Sequence, residues 1–280
     1  MITLMTDFGT DSPYIAAMKA AVYERLPQAV IVDLTHAIAA QDIRQGAFVW
    51  CEFTQTFPAG TVHVGIVDPG VGSKRRLIAA QCDGQFFVCP DNGLLTLILQ
   101  ATTPEALVEI PNPVYWRREI SGTFHGRDIM APVAAAIAGG MTPAELGTPF
   151  ETSTAPILFP VSQPHFGEAE WRLEILYVDH FGNLLLNATV GMLPKTMLAL
   201  LADNPEVVIG FQDRKQNAYA VFVANYSCLS PGRLALLTGS NGRLELAVVN
   251  GNAANRLSAK AGDTLIVRFI DRQHCGSLRS

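Results

Sequence analysis

The chain has 280 residues, of which 49% are hydrophobic and 16% charged, with a net charge of −5 at pH 7. This composition excludes a disordered chain, because the apolar residues suffice for a sizeable core. It also argues against a nucleic-acid-binding protein, which would usually present a basic face.

Strand-like and helix-like segments alternate in the first half of the chain. The predicted strands cover residues 2–6, 29–35, 61–67, 76–82 and 85–89, the last two as a hairpin that turns at Asp83-Gly84. The predicted helices cover residues 13–26, 42–57, 93–101 and 127–139. This alternation predicts an α/β N-terminal domain, a central sheet flanked by helices, over residues 1–155.

The second half of the chain has a different residue pattern. Residues 156–168 contain Pro156, Pro160 and Pro164 and are predicted to be a linker. Short β-like runs separated by Gly, Asn and Asp follow over residues 169–280. They predict an all-β C-terminal domain, either a small barrel or a sandwich.

The five cysteines and the first residues of the chain indicate the cellular compartment of the protein. The cysteines form no CxxC pair, and their odd number favours reduced thiols over a disulfide scaffold or a thiolate zinc site. The opening MITLMTDFG lacks the basic start and apolar run of a secretory signal. No uncharged apolar run reaches the ~18 residues that a membrane span needs. We therefore expect a cytoplasmic protein.

Three polar segments follow or approach strand ends in the first half: TDFGTD at 6–11, DPGVGSKRR at 68–76 and SGTFHGRD at 121–128. Such positions line the ligand crevice of α/β domains. Within them, Asp68 could orient a water molecule, Arg75 could hold that carboxylate ionised, and His125 could accept or relay a proton. The alternative is an ordinary Asp-Pro-Gly turn with a solvated basic tail and a structural histidine.

Other polar residues also have two interpretations. Asp7 could accept hydrogen bonds from both hydroxyls of a ribose, or it could cap a turn. In the second half, Asp179, Asn183 and Ser240 could hold the charged ends of an amino acid, and the backbone near Asn252-Ala253 could contact a base. From local sequence alone, hairpin turns are the preferred explanation of these second-half segments, since their residues are common in turns.

Several function classes find no support. The six histidines show no HxH or HxxxH spacing, so a metal site, and with it a metal phosphohydrolase, is not predicted. Asp7-Phe8-Gly9 and His125-Gly126-Arg127-Asp128 imitate kinase signatures, but their order is reversed and no glycine-rich loop precedes them. GVGSKR lacks the GxxxxGK[ST] pattern of a phosphate-binding loop.

Seven motifs in order give the chain a family resemblance: MTDFGTDSPY, VDLTH, GTVHVGIVDPGVGSKRR, CPDNGLLT, GTFHGRDIMAPVAA, VDHFGNLLLN and GNAA. Together they resemble the S-adenosyl-L-methionine hydroxide adenosyltransferase family, the S-adenosylmethionine hydrolases related to fluorinase and chlorinase. The resemblance spans about residues 2 to 270. It implies hydrolysis of S-adenosyl-L-methionine to adenosine and L-methionine without a cofactor. It also implies a homotrimer with each active site between the N-terminal domain of one subunit and the C-terminal domain of the next.

The resemblance also implies roles for individual residues. The family's residues that handle the nucleophilic water correspond to Asp68, Arg75 and His125 of this chain. Its substrate-binding residues correspond to Asp7, Asp179, Phe181, Asn183, Ser240, Glu245, Asn252 and Ala253.

Two rival functions differ from the hydrolase at the same residues. A halide-dependent adenosyltransferase would have an aromatic residue in place of Asp68, whose carboxylate would repel a halide anion. Gly126 also stands where a halide-binding serine is expected. A non-catalytic sensor of S-adenosylmethionine or adenosine would not need the three water-handling residues. Asn241 replaces an arginine of the fluorinase, so recognition of the methionine carboxylate is expected to differ.

Overall fold

The computed structural model describes residues 1–150, 155–168, 170–195 and 205–270. The chain divides into two compact units, Met1–Phe159 and Pro160–Ser280. The domain limits drawn from the sequence stay predictions. None of the helices in the described ranges has the length and apolar composition of a transmembrane span.

The described strands of the first unit form a seven-stranded sheet in the order β2-β1-β3-β5-β4-β6-β7. Its elements are β1 (Ile2–Thr6), α1 (Pro13–Arg25), β2 (Ile31–Thr35), α2 (Ile43–Thr54), β3 (Val62–Ile66), β4 (Leu77–Cys82), β5 (Gln85–Pro90), α3 (Thr96–Ala101), β6 (Ala106–Glu109), α4 (Ala131–Ala138), α5 (Pro143–Leu146) and β7 (Thr148–Pro149). Strands β2, β1, β3 and β5 are parallel, whereas β4, β6 and β7 add antiparallel pairs. The α/β prediction is confirmed.

Local chemistry explains where several of these elements begin and turn. Ser12 caps α1 ahead of Pro13, and the Asp42 side chain accepts a hydrogen bond from the Gln45 amide at the start of α2. Asp83 and Gly84 both have positive φ, which suits the two-residue turn between β4 and β5.

Several features of this unit were not predicted, among them the four-residue helix α5. Strands β6 and β7 have four and two residues, too few to show an alternating pattern. The predicted helix at 127–139 instead begins with a π-helical turn, Gly126–Met130, and continues as α4. The predicted helix at 93–101 begins only at Thr96.

The second unit is a closed β-barrel. Its elements are β8 (His165–Phe166), β9 (Glu170–Val178), β10 (Leu184–Thr189), β11 (Glu206–Phe211), β12 (Asn217–Phe222), β13 (Leu234–Thr238), β14 (Arg243–Val248), α6 (Ala253–Leu257) and β15 (Thr264–Phe269). Seven of the described strands pair in the order β10-β14-β13-β12-β11-β15-β9, and β9 pairs again with β10. That last pairing closes the ring and decides for a barrel over a sandwich. Fully buried Trp171, Leu186 and Val267 belong to the barrel core.

Candidate active site

A first cavity lies at the carboxyl ends of two neighbouring parallel strands. Thr6 of β1 is opposite Ile66 of β3, so the residues that follow these strands emerge at the same edge of the sheet. The cavity has a volume of about 270 Å³ and is lined by Asp7, Phe8, Gln41, Ile66, Asp68, Pro69, Val71, Thr123, Phe124, His125 and Gly126. Segments far apart in sequence therefore contribute to one site.

Asp68, Arg75 and His125 are in direct contact. Arg75 Nε donates to Asp68 Oδ1 at 2.6 Å, and Arg75 Nη2 donates to Asp68 Oδ2. The side chains of Arg75 and Asp68 are only 8% and 5% exposed. Arg75 Nη1 reaches His125 Nδ1 at 3.1 Å. One guanidinium thus holds the carboxylate in a bidentate pair and the imidazole by a third bond.

Gly72 allows this convergence. It has a φ of +80°, and a Cβ at this position would lie 2.3 Å from the carbonyl oxygen of Gly122. The turn that carries Arg75 therefore packs directly against the loop that leads to His125.

The contact with Arg75 determines which nitrogen of His125 carries the proton. A guanidinium only donates hydrogen bonds, so His125 accepts through Nδ1 and its proton lies on Nε2. Burial lowers the pKa of His125, and the Arg75 charge lowers it further, against the opposing effect of Asp68 and Asp128. The imidazole is therefore neutral near pH 7 and can donate, not accept, a hydrogen bond at Nε2. This differs from the proton acceptor considered from the sequence.

Asp7 lies in the same cavity as Asp68 and His125. Its Oδ2 accepts a hydrogen bond from the backbone amide of Gln41 at 2.8 Å. Asp7 therefore anchors a neighbouring loop, as in the turn interpretation, and its other oxygen is available to a hydroxyl.

A second, larger cavity of about 920 Å³ lies in the barrel unit. Six of the predicted binding residues line it: Asp179, Phe181, Asn183, Ser240, Glu245 and Asn252. The Phe181 side chain is 71% exposed, although most large apolar side chains are covered in folded proteins. An open cavity with several polar groups and an exposed aromatic ring is suited to bind a polar organic ligand.

The β9–β10 hairpin fixes Asp179 within this cavity. Its Oδ1 accepts from the amides of Phe181 and Asn183 at 2.9 and 2.8 Å, and its Oδ2 accepts from Asn183 Nδ2 at 2.9 Å. Asp179 and Asn183 thus build the turn and also face the cavity. The turn and binding interpretations of this segment are compatible.

Asn252 caps α6, because its side chain accepts a hydrogen bond from the Asn255 amide. It also packs closely on Gly182, where a Cβ would come within 2.1 Å of the Asn252 amide group. Ala253 is fully buried and belongs to the barrel core, and it does not line the cavity. The helix α6 itself was expected to be a loop.

Tyr226 is a cavity residue that sequence reasoning missed. Its hydroxyl donates a short hydrogen bond to Glu245 Oε1. Burial raises the pKa of Glu245, and the negative charge of Asp179 raises it further. Burial and the bond to Glu245 also raise the pKa of Tyr226. Nothing in the spacing along the chain marked Tyr226, because its partner lies 19 positions away on another element.

Within the described residues, no group of three or more His, Cys, Asp or Glu side chains is placed to hold a metal ion.

Comparison with known proteins gives consistent matches to one family. The SAM hydroxide adenosyltransferase N-terminal domain matches residues 2–147, and the C-terminal domain of the same family matches residues 173–266. A relative from Salinispora arenicola, named (R)-S-adenosyl-L-methionine hydrolase, is 36% identical, with 95% of this chain and 97% of the relative covered.

Two further comparisons concern fold and a related activity. The crystal structure of an uncharacterized conserved protein from Thermotoga maritima superimposes with a TM-score of 0.88 at 31% identity, covering 96% of this chain and all of that chain. A fluorinase from Actinoplanes sp. is 25% identical over 52% of this chain and 57% of its own length.

Proposed function

This chain belongs to the SAM hydroxide adenosyltransferase family, and we propose that it hydrolyses S-adenosyl-L-methionine to adenosine and L-methionine. The observation that carries the proposal is the contact of Arg75 with both Asp68 and His125 beside the first cavity. A protein that only bound its ligand would not need a buried carboxylate and guanidinium and a half-buried imidazole arranged around one point.

The reaction is an in-line displacement at C5′ of the adenosyl group. The water oxygen forms a bond to C5′ while the bond from C5′ to sulfur breaks, and its electron pair stays on the sulfur of methionine. A sulfonium is already a good leaving group, so the protein's task is to hold water opposite the sulfur. Such positioning can contribute roughly 7–11 kcal/mol in ideal cases.

The three residues have distinct roles in this proposal. Asp68 accepts a proton from the water through a lone pair that Arg75 does not use. His125 donates its Nε2 hydrogen to the water oxygen, and this, with the charge of Arg75, stabilises hydroxide character. Charge disappears as the sulfonium becomes a thioether, which a site of low dielectric constant favours.

The second cavity supplies the binding groups. Asp179 carries the charge that pairs with the ammonium group of the methionine portion, and Ser240 and Asn183 supply polar contacts. Glu245 lines the same cavity, and Phe181 offers an exposed ring. Asp7 accepts hydrogen bonds from ribose hydroxyls. The reaction needs no cofactor, because the substrate carries its own leaving group.

Self-association as a homotrimer is part of the proposal. The first cavity, at about 270 Å³, is smaller than the roughly 300–1,000 Å³ typical of ligand pockets. We propose that each active site combines the N-terminal unit of one subunit with the C-terminal unit of the next. We also propose that the enzyme acts in the cytoplasm.

The test is turnover of S-adenosyl-L-methionine in ¹⁸O-water, with and without excess chloride, followed by mass spectrometry. We expect adenosine with ¹⁸O at the 5′ position, together with methionine, at a rate independent of chloride. A 5′-chlorinated adenosine formed only with chloride would support a halide-dependent transferase instead. Bound but unchanged substrate would support a sensor.

A further inference from the structure

A third cavity, of about 620 Å³, lies outside the proposed active site, and four of its nine lining residues are arginines. Its residues are Ala21, Glu24, Arg25, Trp116, Arg117, Arg118, Glu119, Arg127 and Pro132. Four guanidinium groups thus face two carboxylates, in a chain whose net charge is −5. The cavity is large enough for a small anion or a nucleotide.

The four arginines differ in how far their charges are neutralised. Arg127 is held by Asp128 through two hydrogen bonds of 2.6 and 2.8 Å, so its charge is balanced. Arg25 Nη2 donates to the carbonyl oxygen of Trp116 at 2.9 Å, and this satisfies a donor without supplying a negative charge.

The remaining two arginines are the freest. Arg117 has long contacts, 3.4 Å to Glu24 and 3.7 Å to Asp128. Its partner Glu24 has a side chain that is 61% exposed, so the pair is loosely held and worth little. Arg118 is exposed, and within the described residues its side chain makes no hydrogen bond or ion pair.

We propose that this cavity binds a phosphate-bearing anion through Arg117 and Arg118, with Arg25 contributing to its positive field. Guanidinium groups match the geometry of phosphate oxygens, and they are less strongly hydrated than ammonium groups. The half-buried Trp116 provides a flat apolar wall at the same site. The site is independent of the proposed hydrolase activity.

Calorimetric titration of the full chain with inorganic pyrophosphate tests the site. We expect saturable binding that weakens with rising salt. Changing both Arg117→Gln and Arg118→Gln should weaken it at least tenfold. Arg233→Gln removes an exposed arginine of the other unit and should change the affinity less than twofold. Absence of saturable binding, or equal losses in the two variants, would overturn the proposal.

A change of opposite sign provides a second test. Glu24→Gln removes the carboxylate that competes for Arg117, so we expect pyrophosphate to bind more tightly. Weaker binding in this exposed variant would contradict the assignment.

Fluorescence provides a readout that can be localised. Trp50 and Trp171 are fully buried, whereas Trp116 lines the cavity. The change in tryptophan fluorescence on addition of pyrophosphate should therefore disappear in Trp116→Phe. A change that persists would place the ligand elsewhere. Repeating the titration with adenosine 5′-diphosphate separates the two sources of phosphate: tighter binding indicates a nucleotide, and equal binding a free phosphate.

Discussion

At the scale of single residues, Asp68 has two roles, one in stability and one in the proposed catalysis. It balances the buried charge of Arg75 and, in the proposed mechanism, accepts a proton from water. Removing its side chain by Asp68→Ala would leave an unpaired guanidinium, which can destabilise a protein by about 3–5 kcal/mol. Asp68→Asn also removes the negative charge, but it keeps the shape and one acceptor oxygen for Arg75, so it disturbs the pair less than Asp68→Ala does.

We expect Asp68→Asn to lower kcat by roughly 10²–10⁴-fold, the usual contribution of general acid–base catalysis, with KM changed less than threefold. Steady-state kinetics measure both, and thermal unfolding checks that the fold persists. A loss carried mainly by KM would make Asp68 a binding residue. The Asp68→Ala variant, provided that it folds, should likewise lose kcat with little change in KM.

The protonation state of His125 predicts the acid side of the pH profile. The pKa of His125 lies below the ordinary value of 6.5, so the imidazole is still neutral when the pH has fallen to 6.5. At a pH below this lowered pKa, protonation of Nδ1 would break the hydrogen bond from Arg75. We therefore expect kcat/KM to be level above about pH 6.5 and to fall at lower pH.

The matched variant for this profile is His125→Gln, which retains an N–H donor but does not titrate. This variant should be less active than the wild type. Its kcat/KM should also fall less at low pH, because the decrease caused by protonation of His125 is absent. Wild-type activity that increased as the pH fell below 6.5 would show that the imidazolium is the active form.

At the scale of elements, the turn after β3 and the loop before α4 act as a pair. Two glycines allow this to be tested, because Gly60 and Gly72 both have a φ of +80° but differ in their surroundings. Nothing lies within 4 Å of a Cβ at position 60, whereas a Cβ at position 72 meets the Gly122 carbonyl at 2.3 Å.

Gly60→Ala should therefore cost only the backbone strain, about 1–2 kcal/mol, with unchanged kcat. Gly72→Ala should lower the stability further and reduce kcat at least tenfold, since the loops that carry Arg75 and His125 must separate. Chemical denaturation and kinetics measure the two effects. Equal kcat in both variants would show that the loop contact does not position the site.

Element prediction succeeded where periodicity and turn chemistry agreed. The alternation of helices and strands and the Asp83-Gly84 turn are both local signals. It failed for β6, β7, α5 and α6, which have four, two, four and five residues. Such short elements depend on the pairing partner or packing surface that the rest of the fold provides.

At the scale of the whole molecule, the homotrimer is the main open prediction. Sedimentation equilibrium should give a mass of three times the 30.2 kDa of one chain. We expect dilution to the monomer to abolish turnover, because each proposed site needs two subunits. A fully active monomer would contradict the proposal that each active site is formed by two subunits.

The sequence by itself determined the fold class, the change from α/β to all-β texture and the family, because these depend on residue order and local pattern. It also identified Asp68, Arg75 and His125 by their resemblance to that family. Their individual roles stay predictions until the variants are measured.

Only the tertiary structure decided how these side chains meet. The bidentate pairing of Asp68 with Arg75, the proton position on His125 and the partnership of Tyr226 with Glu245 join residues 7 to 50 positions apart. The tertiary structure also buried Ala253 in the barrel core and gathered Arg117 and Arg118 beside α1. Contacts of this kind arise from chain reversals and burial, which a linear pattern does not encode.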